Sequence, residues 1–167
     1  MLASHGGALR PCLLEGGLTQ SAAQLGQGLE AARRVPDRFP LLISLYDLAL
    51  SSQARGDLGG AAALLREGLS VASGAGDDSS VGYYLQRLAA LAAQREDPHR
   101  AVRLLAAADA LLQAAGTGWL LAYVAGAPAE ADVLPELRRR LGEAAFQHAW
   151  AEGAAMGRDH AVEYAQD

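Results

Sequence analysis

An all-α fold of antiparallel helical hairpins stacked side by side is predicted by three features of this 167-residue chain. The first is a repeat in register. Ser21, Ala61 and Ala101 stand 40 residues apart, followed by Leu25, Leu65 and Leu105 and then by Gly28, Gly68 and Ala108. Self-similarity at such a period marks stacked helical units, each burying its face only against its neighbours. The second is composition: 51% of the residues are hydrophobic but only 5% aromatic, and the surplus of Ala and Leu favours close-packed helices over a sheet. The third is punctuation, because Gly, Asp and Pro fall between the periodic segments, where helices stop and start.

The segment Leu41 to Arg55 places Leu41, Leu42, Leu45, Leu48 and Ala49 at helical spacing, with Pro40 at the start. Gly56 suits a left-handed cap and Asp57 suits the next N-cap, so a tight hairpin follows. Its partner helix runs from Leu58 to Ser73, with Ala61, Leu64, Leu65, Leu69 and Ala72 on one stripe, and stops at Gly74-Ala75-Gly76. The plan recurs. Asp77 to Ser80 supplies capping residues for a helix carrying Val81, Leu85, Leu88, Ala89 and Ala92. Asp97 then caps a helix whose first residue is Pro98, running to Ala115 and closed by Gly116 to Gly118.

The first unit is the least regular, with Gly6, Gly7 and Pro11 before a Gly16-Gly17 turn and a helix from Leu18 to Arg34. Beyond Gly118 the period is lost. Trp119 to Val124 is apolar, Gly126-Ala127-Pro128 breaks it, Glu130 to Leu141 reads as a helix with Pro135 in its first turn, and Gly142 separates Glu143 to Met156. Asp159 caps a last short helix to about Ala165. The organisation expected is one domain over 1–167, with repeats at about 5–35, 40–75 and 78–116 and capping helices over 119–166, the atypical terminal element that a stacked array requires.

The net charge of −5 excludes a non-specific nucleic-acid surface, and the apolar runs, such as Ala61 to Leu65, are far shorter than the ~20 residues of a membrane span. One cysteine, Cys12, forms no internal disulfide, which fits a reducing, cytoplasmic setting. Arg10 and Pro11 interrupt the N-terminal apolar residues, so no signal peptide is expected.

The two better repeats resemble the tetratricopeptide motif. Counted from Leu42, the residues Leu45, Leu48, Ala49, Gly56, Ala61 and Leu65 take its large, large, small, turn, small and large positions, and Leu85, Leu88, Ala89, Ala101, Leu105 and Ala108 repeat the set. The repeat is 40 residues long where the motif has 34, and HEAT-type pairs near that length are the alternative. Lengthened repeats of this kind, with the tail Leu141-Gly142-Glu143-Ala144-Ala145-Phe146, Ala149-Trp150-Ala151-Glu152-Gly153 and Ala161-Val162, resemble the C-terminal helical region of large bacterial LuxR-type, ATP-binding transcriptional regulators. The resemblance implies a right-handed superhelix whose first helices line a concave groove. It also implies an interaction region only, because neither a phosphate-binding glycine loop with Lys nor a basic helix-turn-helix is present in the sequence.

In that placement the groove is lined by Ile43, Tyr46, Leu50 and Gln53, then Tyr83, Gln86, Arg87, Ala90 and Gln94, and takes a protein or peptide partner or another domain of the same regulator. The other reading of Tyr46 and Tyr83 is packing between repeats. Trp119, Tyr123, Phe146 and Trp150 form either a C-terminal core or the pocket of an effector-sensing domain. His148 with Glu152, and His160 with Glu163, have metal-ligand spacing but lack any further ligand signature, so no metal is expected. His5 beside Cys12 lies in a Gly- and Pro-broken segment with nothing to orient the imidazole, and His99 reads as surface. No nucleophile, base and orienter come together, so neither an enzyme nor a cofactor is expected. Arg33-Arg34 and Arg138-Arg139-Arg140 come late in their helices, where positive charge complements the helix dipole.

Overall fold

The computed structural model describes residues 26–116 and 133–167, and every regular element among them is a helix. Helix α1 covers 26–32, followed by α2 (Phe39–Ala54), α3 (Leu58–Ala75), α4 (Asp78–Gln94), α5 (Pro98–Ala115), α6 (Leu134–Leu141), α7 (Glu143–Ala154) and α8 (Arg158–Gln166). The expected Gly16-Gly17 turn, Cys12, His5, Trp119 and Tyr123 lie outside the described residues.

The junctions explain the repeat. At the end of α2 the Gly56 N–H donates to Gln53 O and the Asp57 N–H to Ser52 O. This paired arrangement closes a helix when the residue between adopts a left-handed backbone. The same pair recurs at Gly76 and Asp77, and again at Glu96 and Asp97. Each aspartate then turns its side chain to the helix that follows, accepting from Gly60 N, Ser80 N and Arg100 N at 2.8, 3.0 and 3.1 Å. One residue therefore ends one helix and starts the next. Junctions fall every 20 residues, and the 40-residue period is two helices with their turns.

The third junction breaks the pattern, since Glu96 has φ +62° where Gly56 has +80° and Gly76 has +71°. A left-handed backbone costs a non-glycine residue roughly 1–2 kcal/mol, and glycine's extra unfolded entropy offsets part of that gain. Glu96→Gly is therefore expected to stabilise the chain by about 0.5–1 kcal/mol, raising the melting temperature by about 2–4 °C at this size. A lower melting temperature would show that the Glu96 side chain contributes more than its backbone costs.

Helices α2 and α3, and likewise α4 and α5, form hairpins that pack along each other, and α3 packs on α4 to join the pairs. The main core runs through α2 to α5 and on into α6 to α8, with Leu65, Leu85, Leu104 and Leu137 fully enclosed. Leu29 and Ala32 of α1 join Leu41 and Leu45 in a second cluster. Burial of each such Leu stabilises the fold by about 1.5–3 kcal/mol. Small residues set the closest approaches. The Tyr84 ring lies directly on the backbone of Gly68, Leu112 fills the space above Gly82, and α7 comes so close at Gly153 that its backbone meets the main chain of Arg103.

Helix bounds follow the sequence with local differences. Helix α3 continues through Gly74 to Ala75, because the left-handed turn is at Gly76 alone. Helix α2 begins at Phe39, whose N–H is taken by Asp37 Oδ1 at 3.0 Å. Pro135 stands in the first turn of α6. Asp159 does not cap the last helix: Gly157 occupies that position, and Asp159 lies in the first turn beside Arg158. No helix among the described residues is long and apolar enough to cross a membrane.

Candidate functional site

Helices α2 and α4 run in the same direction, as their side-chain pairs advance together from Leu42 and Tyr84 to Tyr46 and Arg87. Tyr84 Oη donates to Leu42 O at 2.6 Å, and the Tyr46 and Tyr84 rings meet edge to face with centroids 5.8 Å apart. Arg87 Nε donates to Tyr46 Oη at 2.7 Å, with its guanidinium 5.4 Å from that ring's centroid. Burial, with the nearby Tyr46, Asp47 and Glu67 charges adding to it, pushes the Tyr84 phenol far above its ordinary range. The phenol is held as a neutral donor. Tyr46, Tyr83 and Arg87 are only 7%, 5% and 6% exposed. Those three are the wall between the helices rather than an open binding surface.

The remaining candidates divide between two depressions. Near the N-terminal ends of α2 and α4, Phe39, Leu42, Ile43, Tyr46, Ser80 and Tyr83 border a small, almost wholly apolar dimple of about 40 Å³. Its rim is open: Phe39 is 56% exposed, and Val35 just before α2 is 48% exposed. Toward the C-terminal ends, Gln53, Arg87, Ala90 and Gln94 border a larger depression of about 390 Å³ whose opposite side is α6, through Val133, Glu136, Leu137 and Arg140. Leu137 is buried here, so α6 already covers this half. Leu50 packs partly buried on the core, and Gln86 borders neither depression.

Sequence reasoning took Tyr83 and passed over Tyr84, the residue that ties α4 to α2. The signal was available. Gly68 repeats in register with Gly28, and a glycine held at such a position marks a close approach, here by the Tyr84 ring.

In the C-terminal part, Phe146 stacks on Trp150 with centroids 5.8 Å apart and is covered by the Arg138 guanidinium at 4.6 Å. Phe146 is buried as core. Glu152 of the His148–Glu152 pair is engaged by Arg103, whose Nη2 lies 2.6 Å from Glu152 Oε2 and holds the carboxyl below its ordinary range. His148 Nε2 lies 3.4 Å from the other oxygen. His160 and Glu163 stand exposed on α8, and His99 is exposed at the start of α5. No cluster of three or more ligating side chains occurs among the described residues. Of the arginine runs, Arg33 pairs with Glu67 at 2.8 Å, and Arg139 and Arg140 both engage Glu136, holding its carboxyl down to about 2.

Comparison with known proteins places a regulator beside this chain. A provisionally named HTH-type transcriptional regulator of Mycobacterium bovis is 39% identical over 82 residues, which is 49% of this chain and 9% of that protein. Counterparts from two Mycobacterium tuberculosis strains match at the same identity and coverage. The chain thus spans under a tenth of the length of these relatives. No protein-family profile matches, and no solved structure matches.

Proposed function

We propose that this chain is a non-enzymatic, cytoplasmic recognition domain of a bacterial transcriptional regulator, its hairpins arranged as a tetratricopeptide-like right-handed superhelix that binds a protein partner or another domain of the same regulator. The likeness of its 82 residues to HTH-type regulators supports the regulatory context. The repeated junctions support the superhelix. Residues 51–60 and 91–100 share the same succession of helix, turn and helix and the same pattern of buried and exposed positions.

The observation that carries the binding role is the open apolar rim at the N-terminal ends of α2 and α4. Phe39 keeps more than half its surface in water beside a dimple with apolar walls, and an exposed aromatic next to a preformed apolar depression is the usual anchor of a protein contact. Binding is thereby placed on Phe39, Ile43 and Val35 rather than on the buried tyrosines.

The test is capture of partners from the source lysate by wild type and by a Phe39→Asp, Ile43→Asp double variant. Because Phe39 is exposed and Ile43 half-buried, the variant is expected to keep its helical circular dichroism and to lose at least tenfold in affinity for the captured partner. Ala63→Asp, on the exposed face of α3, is expected to bind as wild type does. Equal capture by the double variant would overturn the assignment.

A further inference from the structure

A second depression lies away from the α2–α4 rim, enclosed by α3, α4, the start of α5 and the end of α8, with a volume of about 330 Å³. Its floor is apolar, through Leu88 and Leu91, and three arginines border it: Arg66, Arg95 and Arg100. Each is anchored by a main-chain carbonyl. Arg66 Nε donates to Ala165 O at 3.3 Å, Arg95 Nη2 to Leu58 O at 3.0 Å and Arg100 Nη2 to Tyr164 O at 2.8 Å.

None of the three forms an ion pair with a carboxylate among the described residues, whereas Arg33, Arg103, Arg138, Arg139, Arg140 and Arg158 all do. A guanidinium has five N–H donors, so one carbonyl bond leaves most of each fork free while fixing its position. Two carboxylates, Asp97 and Asp167, share the border, and Asp97 spends an oxygen on the Arg100 N–H as the cap of α5. Three anchored positive charges over an apolar floor match a compact oxyanion, because the planar fork of arginine pairs with such groups through two hydrogen bonds at once.

We propose that the Arg66–Arg95–Arg100 depression is a binding site for a small phosphorylated molecule, whose phosphate groups take the free guanidinium donors and whose apolar part rests on Leu88 and Leu91. The site is separate from the Phe39 rim and stands or falls independently of it. It gives the domain a means of sensing a metabolite, because the ligand sits where Arg66 and Arg100 hold the end of α8.

Isothermal titration of the full chain with pyrophosphate tests this. Wild type is expected to bind one pyrophosphate, with affinity falling as chloride is raised at constant pH, and with a higher melting temperature in its presence. Arg95 is exposed and its one anchor is the Leu58 carbonyl, so Arg95→Gln is expected to fold normally and to bind about tenfold more weakly. Arg95→Lys, which keeps the charge and removes the fork, is expected to fall between the two. Arg34→Gln, exposed and remote from the depression, is expected to leave binding unchanged. Absence of binding by wild type at millimolar pyrophosphate would overturn the proposal, as would equal affinity in wild type and in both Arg95 variants.

Discussion

Leu65→Asp and Leu105→Asp are each expected to abolish the cooperative thermal transition. Both side chains are buried at equivalent positions of the two hairpins, Leu65 in α3 and Leu105 in α5. Truncating a buried leucine alone costs roughly 2–5 kcal/mol. Putting an unpaired carboxylate in its place adds several kcal/mol more, or forces the group to take up a proton. Against a total stability of about 5–15 kcal/mol for a domain, either substitution is sufficient. Circular dichroism at 222 nm through a thermal melt reads the result, with Ala63→Asp as the exposed control. A wild-type transition in the leucine variants would mean that the 40-residue register does not describe the core.

Gly153→Val is expected to act locally instead. A β-carbon at Gly153 would collide with the main-chain oxygen of Arg103, which belongs to α5 and has no rotamer by which to move aside. Overpacking costs typically about 1–3 kcal/mol, and collision with helix backbone puts this substitution at the upper end. Helix α7 is then pushed off α5, and the contact between Arg103 and Glu152 is lost with it. Native-state hydrogen exchange is the measurement: amides of Glu143–Ala154 should lose protection while those of α2 and α3 keep theirs. Unchanged protection across α7 would contradict the close approach described.

The helices and their junctions were legible because the signals there are local. Asp57, Asp77 and Asp97 cap, and Gly56, Gly76 and Gly116 turn, through interactions that span only a few residues of chain. Asp159 misled for the same reason, since a good capping residue two positions inside a helix reads like one at its start. The long-range features were not legible. Nothing near Tyr84 in sequence announces that its hydroxyl reaches Leu42 O in another helix, and nothing near Arg66 announces that it reaches Ala165 O, 99 residues away. The groove residues were placed on the right two helices, but periodicity could not tell a tyrosine between helices from one that faces outward. The open part of that face turned instead on Phe39 and Val35, whose exposure follows from how the first turn of α2 sits beyond its neighbours.

The sharing of one aspartate between the end of a helix and the start of the next leaves no slack in the chain. An inserted residue inside α3 would rotate everything after it by about 100° about the helix axis, turning Leu65 and Leu69 out of the core, and one added at Gly56-Asp57 would separate the two jobs that Asp57 performs together. Single-residue insertions and deletions in 51–60 or 91–100 are therefore far more damaging than the gain or loss of an entire two-helix unit. Such an architecture changes length in steps of 40, and its natural variation is one of copy number.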